Sequence, residues 1–247
     1  MVSVVIPTLN ERDFLAVTLQ HVKANDVEHE CIVVDGGSVD GTVEIAESAG
    51  AQVVISNQCQ RAAQMNLGAR QARGDILVFL HADTRLPPAA LTRIEQKLAD
   101  PHVVGGAFTR RFNTNSFLLR LTCRLAEARS HMFGWHLGDQ AMFVRRDIFQ
   151  KLGGFREIGL FEDLDFSRRL ARLGRVVTLR PAVISSDRRF QSRGPLATTM
   201  RDVWLTLRYV CGEDPDLFSD SDGKTSICSE CKEEIPNPRR QISNKLQ

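Results

Sequence analysis

Val2-Ser3-Val4-Val5-Ile6-Pro7-Thr8-Leu9-Asn10-Glu11 opens the chain. A β-branched run closed by proline reads as a buried strand, with the polar residues after it as the loop at its carboxyl end. Residues 11–24 have helical spacing, with Phe14, Leu15, Leu19 and Val22 on one side. Residues 30–35 form a second apolar run, ended by the turn Asp35-Gly36-Gly37-Ser38. The alternation continues with a helix over 42–49 stopped by Gly50, a strand over 52–55 and a helix over 61–72 ended by Gly74. The most hydrophobic strand follows over 76–80, and Pro87-Pro88 opens a helix that runs to residue 98. Repeated strand–helix units predict an α/β fold with a doubly wound, mostly parallel sheet and helices on both faces. Ligands of such sheets bind beyond the carboxyl ends of the strands. The polar clusters Thr8-Leu9-Asn10-Glu11, Asp35-Gly36-Gly37 and His81-Ala82-Asp83 stand at those ends, so a site is expected along that edge.

The second half is less regular. Residues 103–112 suggest a strand-pair element around Gly105-Gly106, and 116–128 a helix with Leu118, Leu121 and Leu125 on one side and Arg120 and Arg124 on another. Its apolar side is expected to pack on the core, with an interfacial role as the alternative. A strand over 140–144, a short helix over 146–152, a helix over 162–173, a strand over 175–179 and an amphipathic helix over 196–210 complete the pattern. After about residue 215 the composition turns to Asp, Ser, Lys and Pro, which reads as a mobile tail. The expected division is therefore a domain over 1–212 and an acidic, polar tail over 213–247.

Composition excludes little. The 247 residues are 43% hydrophobic and 25% charged, enough for an ordinary buried core. The formal net charge is only +2, so no nucleic-acid partner is expected. Arginine is dense between Arg110 and Arg193, which suits phosphate groups, an anionic membrane surface or simply a solvated face. The six cysteines show no disulfide framework, and Cys31 and Cys123 sit in apolar surroundings. No signal peptide or membrane-spanning run is read, which points to the cytoplasm or the cytoplasmic face of a membrane. Cys228-Ser229-Glu230-Cys231 is half a zinc site. With Glu233-Glu234-Ile235-Pro236 it resembles a fragment of the finger of bacterial stringent-response regulators, and no stable metal is expected there.

The order of the motifs carries a resemblance. Val2 to Glu11 as quoted, then Val33-Val34-Asp35-Gly36-Gly37-Ser38-Val39-Asp40-Gly41-Thr42, then Gly74-Asp75 leading to His81-Ala82-Asp83, then Glu162-Asp163-Leu164-Asp165, resembles the family 2 glycosyltransferases of GT-A fold over roughly residues 1–212. Leu80-His81-Ala82-Asp83-Thr84, Gly138-Asp139-Gln140 and Ser186-Asp187-Arg188-Arg189-Phe190 look like a bacterial subgroup, the radical-SAM/selenodomain-associated transferases. The resemblance implies a Rossmann-like nucleotide-binding half plus an acceptor-side half. It implies a nucleotide-sugar donor, UDP-linked first and GDP or dTDP as alternatives, with an unidentified acceptor and inversion.

It also assigns roles, each with a structural alternative. Asp35 would accept a hydrogen bond from the base or ribose; otherwise it holds the turn at Gly36-Gly37. Thr8, Asn10 and Glu11 would contact the nucleoside, although Thr8 and Glu11 also fit a capping box. Arg61 would reach the nucleotide. His81-Ala82-Asp83 stands where the family has Asp-x-Asp, so Asp83 would hold a divalent cation, Mn²⁺ or Mg²⁺, against the diphosphate. His81 departs from that pattern: it could ligate Mn²⁺ or contact the ribose or sugar. Glu162-Asp163 lies where the family places its general base; the resemblance assigns that role to Asp163, while the sequence alone does not rank it above Glu162 or Asp165. The alternative for these acids is to complement a helix dipole. Arg188 and Arg189 would clamp the diphosphate, in a region that lacks the Gln-x-x-Arg-Trp signature of other members. Gly138, Asp139 and Gln140 would line the acceptor side or form a turn before a strand. Two rivals are a nucleotidyltransferase, disfavoured by Pro7-Thr8-Leu9-Asn10-Glu11 in place of a Gly-rich basic loop, and a non-catalytic nucleotide-binding regulator, suggested by the tail. Arg120, Arg124 and the last helix allow a peripheral membrane contact.

Overall fold

The structure, a computed structural model, describes residues 1–114, 116–188, 190, 194–215 and 218. Strands β1 (Val2–Thr8), β2 (His29–Asp35), β3 (Gln52–Ile55) and β4 (Ile76–Phe79) alternate with helices α1 (Arg12–Lys23), α2 (Thr42–Ser48) and α3 (Arg61–Gln71). After β4 come β5 (Thr84–Arg85), α4 (Ala90–Leu98), β6 (Val103–Phe112), α5 (Phe117–Phe133) and the 3-10 helix Gly138–Gln140. The chain continues through β7 (Met142–Arg145), α6 (Arg146–Lys151), α7 (Glu162–Leu173), β8 (Arg175–Ser185) and α8 (Pro195–Val210). Among the described residues they build one eight-stranded sheet in the order β3-β2-β1-β4-β7-β6-β8-β5.

β1 to β4 are parallel, as the strand–helix alternation predicts. The other half is mixed: β7 runs antiparallel to both β4 and β6, while β6 and β8 are parallel and β5 closes the edge antiparallel to β8. The period of two along β1 splits the core. Val2, Val4 and Ile6 pack with Leu15, Leu19, Leu91 and Ile94 under α1 and α4. Val5 faces the opposite layer of Ala62, Met65, Phe79, Phe149, Phe155 and Phe166 under α3, α6 and α7.

Five sequence expectations change. Residues 103–112 are one long strand rather than a pair, and β8 continues six residues past 179 to Ser185. The two run side by side closely enough that a Cβ on Gly106 would collide with the Val177 carbonyl, which only glycine tolerates. The 116–128 helix extends to Phe133, where Gly134 at φ 65° ends it. Its expected core packing is confined to Leu119, Ala126 and Ser130; Leu121 and Leu125 are exposed, because α5 lies on the outside of β6. The Thr8–Glu11 capping box does not form. Thr8 is still paired in β1, and α1 is capped instead from the β2 side, by Thr42 Oγ1 to Glu11 N (2.9 Å) and Asp40 Oδ2 to Arg12 N (3.1 Å).

Burial pushes the Cys31 thiol up to about 12, and none of the four described cysteines is in a disulfide. Phe218 is buried against Phe161 and the Arg208 guanidinium. The Cys228-to-Cys231 element and most of the tail expected over 213–247 lie outside the described residues.

Candidate active site

The parallel half supplies one wall. Thr8 Oγ1 donates to Asp35 Oδ1 (3.1 Å), and Asp35 also accepts from Gly37 N (2.8 Å), Ser38 N (2.7 Å) and Ser38 Oγ (2.5 Å). Asp35 is 1% exposed. Its carboxylate spends its acceptor capacity on the turn, which fixes the loop that borders the cleft. Asn10, at φ 53°, clips this loop to the first: its Oδ1 accepts from Val39 N at 3.0 Å. Gln64 of α3, which sequence reasoning did not single out, ties the two strand ends together by donating to the Thr8 and Val34 carbonyls at 2.8 and 3.0 Å.

The opposite edge supplies charge. β5 pairs with the end of β8, Thr84 opposite Ser185, so the chain after β8 passes over Asp83. Ser186 N donates to the Asp83 carbonyl at 3.2 Å. Arg188 then places Nη1 2.7 Å from Glu11 Oε2 and Nε 3.3 Å from Asp83 Oδ2, with its guanidinium over the Phe14 ring. Glu11, Asp83 and Arg188 therefore meet, as the sequence grouped them; Arg189 lies outside the described residues. Burial raises the Asp83 pKa, Arg188 lowers it, and Glu11 and Asp139 raise it further. Glu11 and Asp83 meet at Arg188, and Asp139, itself paired with Arg110, adds negative charge nearby. Among the described residues no group of three or more His, Cys, Asp or Glu is assembled to cage an ion. Asp83 is the carboxylate here that could hold a hard divalent cation together with oxygens of a diphosphate.

The third group lies across the cleft. Phe161 sits at φ 68°, a backbone region that bulky residues avoid, and its ring stacks on Tyr209 of α8 at 5.1 Å. Tyr209 Oη in turn donates to Asp165 Oδ1 at 3.3 Å, so Asp165 is tied into structure together with Arg169 (2.7 Å). This turn starts α7 with Glu162 and Asp163. Glu162 Oε1 pairs with Arg61 Nη1 at 3.3 Å, and the Arg61 side chain is still 43% exposed, able to reach into the cleft. Burial holds the Arg61 pKa down, but Glu162 and Asp163 beside it raise it by more. Asp163 Oδ2 accepts from Gly138 N at 2.6 Å and Oδ1 from Leu164 N at 2.6 Å. Burial, then repulsion from Glu162, pushes the Asp163 carboxyl up to about 6 despite those two donors and Arg61.

Gly138 is placed by the 3-10 helix that enters β7. A Cβ there would lie 2.7 Å from His81 Nε2 and 3.2 Å from Asp163 Oδ2, so glycine lets all three groups line one small cavity with Met65, Phe79 and Glu162. His81 thus lies on the Asp163 side. Asp139 is ion-paired with Arg110 of β6, and Gln140 is buried, donating to the Phe108 carbonyl at 3.0 Å. Arg110 and Tyr209 went unnoticed individually in the sequence, since neither belongs to a periodic or motif pattern.

A parallel half of four strands running on into a mixed half, in one eight-stranded sheet flanked by helices, is the GT-A class of fold. The chain belongs to glycosyl transferase family 2, whose profile matches residues 3–153. A relative from Pseudomonas aeruginosa, undecaprenyl-phosphate 4-deoxy-4-formamido-L-arabinose transferase, is 30% identical over 176 residues, 65% of this chain and 52% of that protein. The chain spans about half the length of the curated relatives it matches. Among solved structures, a mannosyltransferase from Pyrobaculum calidifontis in complex with GDP-Man and Mn²⁺ has a TM-score of 0.61 at 24% identity, covering 89% of this chain and 67% of that one. Glucosyl-3-phosphoglycerate synthase from Mycobacterium tuberculosis, in complex with Mn²⁺, UDP and glucosyl-3-phosphoglycerate, has a TM-score of 0.54 at 21% identity, covering 86% and 80%. The fold is shared with these proteins.

Proposed function

We propose that residues 1–212 form a metal-dependent, inverting glycosyltransferase domain with 213–247 as an appendage, moving a sugar from a nucleotide-sugar donor to an acceptor hydroxyl. The observation that carries this reading is Asp163: a carboxyl at the start of a helix, fixed by the Gly138 amide and pushed up to about 6, with Arg61 within electrostatic reach of both it and Asp83 of the Glu11–Asp83–Arg188 cluster. The nucleoside lies along Thr8, Asn10, Glu11 and the Asp35 turn, UDP first among the candidates. Arg61, Arg188 and Arg189 meet the diphosphate by charge-assisted hydrogen bonds. Asp83 would hold a divalent cation, Mn²⁺ or Mg²⁺, which would supply neutralisation of the charge that leaves with the diphosphate. His81 contacts the donor ribose or sugar beside Gly138, and Asp139 and Gln140 hold the acceptor side through Arg110 and β6.

In the chemical step the acceptor oxygen bonds to the anomeric carbon as the bond to the diphosphate oxygen breaks on the opposite face. The acceptor proton goes to an Asp163 oxygen, and Glu162 stays paired with Arg61. A carboxyl near 6 is ionised at neutral pH yet basic enough to take that proton. The Mn²⁺ and the nucleotide ligands of the two structural neighbours support the donor and metal parts of this reading. The undecaprenyl phosphate in the name of the relative supports work beside a membrane. The subgroup resemblance in Leu80-His81-Ala82-Asp83-Thr84 remains part of it.

A thermal-shift screen of UDP, GDP, dTDP and their sugars, with and without Mn²⁺ or Mg²⁺, tests the proposal, because a ligand that binds only the folded state raises Tm. Stabilisation by one nucleoside diphosphate that needs metal and disappears in Asp83→Ala is expected. Folded protein that responds to none of them overturns it.

A further inference from the structure

α8 carries Leu196, Met200, Val203, Trp204 and Leu207 along one stripe, and all five are exposed, Met200 by 65% and Trp204 by 55%. The opposite face is anchored through Thr198, Leu205 and the Tyr209–Phe161 stack. α5 packs beside α8 and adds Phe117, Leu121, Leu125 and Met132, again exposed. A folded chain of this size has enough polar residues to keep such side chains scattered; two neighbouring helices turning their apolar stripes outward make a continuous patch instead.

The charges around the patch name what covers it. The exposed charged residues of α5 are Arg120, Arg124 and His131, all basic. The one acid of that helix, Glu127, is drawn away to Arg180 and His131. On α8 the Arg208 guanidinium lies over the Trp204 ring at 4.6 Å while pairing with Glu213 (2.7 Å), so the basic border of the patch is carried by Arg120 and Arg124 of α5. Apolar anchors with an indole, bordered by arginines, are the chemistry of a helix lying flat in the headgroup region. The stripe from Leu196 to Val210 is ~21 Å long in helical geometry, and no described helix is long and apolar enough to cross a membrane.

We propose that α5 and α8 together dock this protein on an anionic phospholipid bilayer, lying parallel to its surface. α8 follows the segment that carries Arg188, and its Tyr209 props the Phe161 turn that starts α7. α5 follows β6, whose Arg110 holds Asp139. Resting on the proposed function, docking therefore turns the acceptor side toward the lipid and favours an acceptor carried in the bilayer.

The test uses the full chain and vesicles, with no substrate, so it is independent of the transferase reading. Flotation with phosphatidylcholine–phosphatidylglycerol vesicles is expected, with much weaker flotation on phosphatidylcholine alone and loss at high salt. In a Trp135→Phe background, Trp204 emission shifts to the blue on binding. Leu207→Glu and Met200→Glu each weaken vesicle binding by about tenfold or more, with Tm and nucleotide-induced stabilisation unchanged. Wild-type protein that stays in solution with anionic vesicles overturns the proposal. So does binding that Leu207→Glu leaves intact, or a dimer in solution that Leu207→Glu dissociates, which makes the patch a contact between copies. Binding that appears only after removal of residues 219–247 assigns the patch to that segment and overturns it as well. Vesicle binding that persists in Asp163→Asn, whatever the nucleotide screen gives, separates the two proposals.

Discussion

Arg188 lays its guanidinium between two carboxylates that sequence places far from it, Nη1 2.7 Å from Glu11 Oε2 and Nε 3.3 Å from Asp83 Oδ2. This arginine balances the negative charge of Glu11 and Asp83, the charge a divalent cation on Asp83 would also meet. Arg188→Gln is therefore predicted to raise the affinity for Mn²⁺ alone by a few-fold, the scale of a half-exposed ion pair, while lowering the affinity for a nucleoside diphosphate. Titration of Mn²⁺ by electron paramagnetic resonance, with and without nucleotide, checks both directions; a drop in both would mean that Arg188 only supports the loop.

Asp83→Ala leaves Arg188 with Glu11 alone. The fold should persist, because the Asp83 side chain is pinned by ion pairing rather than by core packing. Metal-dependent stabilisation by a nucleoside diphosphate should vanish while any metal-independent component survives. Thermal shift with and without Mn²⁺ separates the two, and full retention of the metal effect would remove Asp83 as the ligand.

The raised pKa of Asp163 gives a signed pH dependence. A carboxyl held at about 6 in the fold must be ionised to take a proton, so kcat/KM should rise with pH through an acidic limb near that value. Glu162→Gln removes the neighbouring negative charge and should move the limb to lower pH. Because the folded pKa lies above the ordinary one, the associated stability is fully present below the ordinary carboxylate range and is lost as pH rises through about 6. Asp163→Asn should abolish turnover, keep donor binding, and flatten this part of the stability–pH curve, gaining about 1–2 kcal/mol over wild type above the limb once solvent screening is allowed for. Denaturation series at several pH values measure it; loss of donor binding in Asp163→Asn would make the residue structural.

Gly138→Ala places a methyl 2.7 Å from His81 Nε2 and 3.2 Å from Asp163 Oδ2. One side must yield, and the hydrogen bond from Gly138 N that aims Asp163 is lost or bent. A fall of about 10²-fold in kcat is expected, the usual effect of misplacing a catalytic group by an ångström, with some loss of donor affinity where His81 yields. A KM effect without a kcat effect would contradict it.

The parallel half of the fold was legible because its signals are local. β-branched runs of the right length, alternating with helical spacing, give β1, α1, β2, α2, β3 and α3 within a residue or two at most ends. The polar strand ends at Thr8, Asp35 and Asp83 also follow, since a parallel sheet must put them on one edge. The same local reasoning could not say that β7 inserts antiparallel between β4 and β6, because the choice of hydrogen-bonding neighbour leaves no mark on the strand itself. Nor could it choose the buried side of α5 and α8: periodicity reveals two faces, and only the position of the sheet decides which one is covered.

The sequence alone determined the kind of residues the site holds and the order in which the chain delivers them. Tertiary structure alone decided which of them meet. Arg188 and Glu11 are 177 residues apart, Arg61 and Glu162 101, and Gly138 and Asp163 25. Each of those encounters depends on strand register and loop course, which are properties of the whole sheet. That is also why Asp163 acquires its raised pKa only in the fold: burial beside Glu162 is a property of the site and not of the residue.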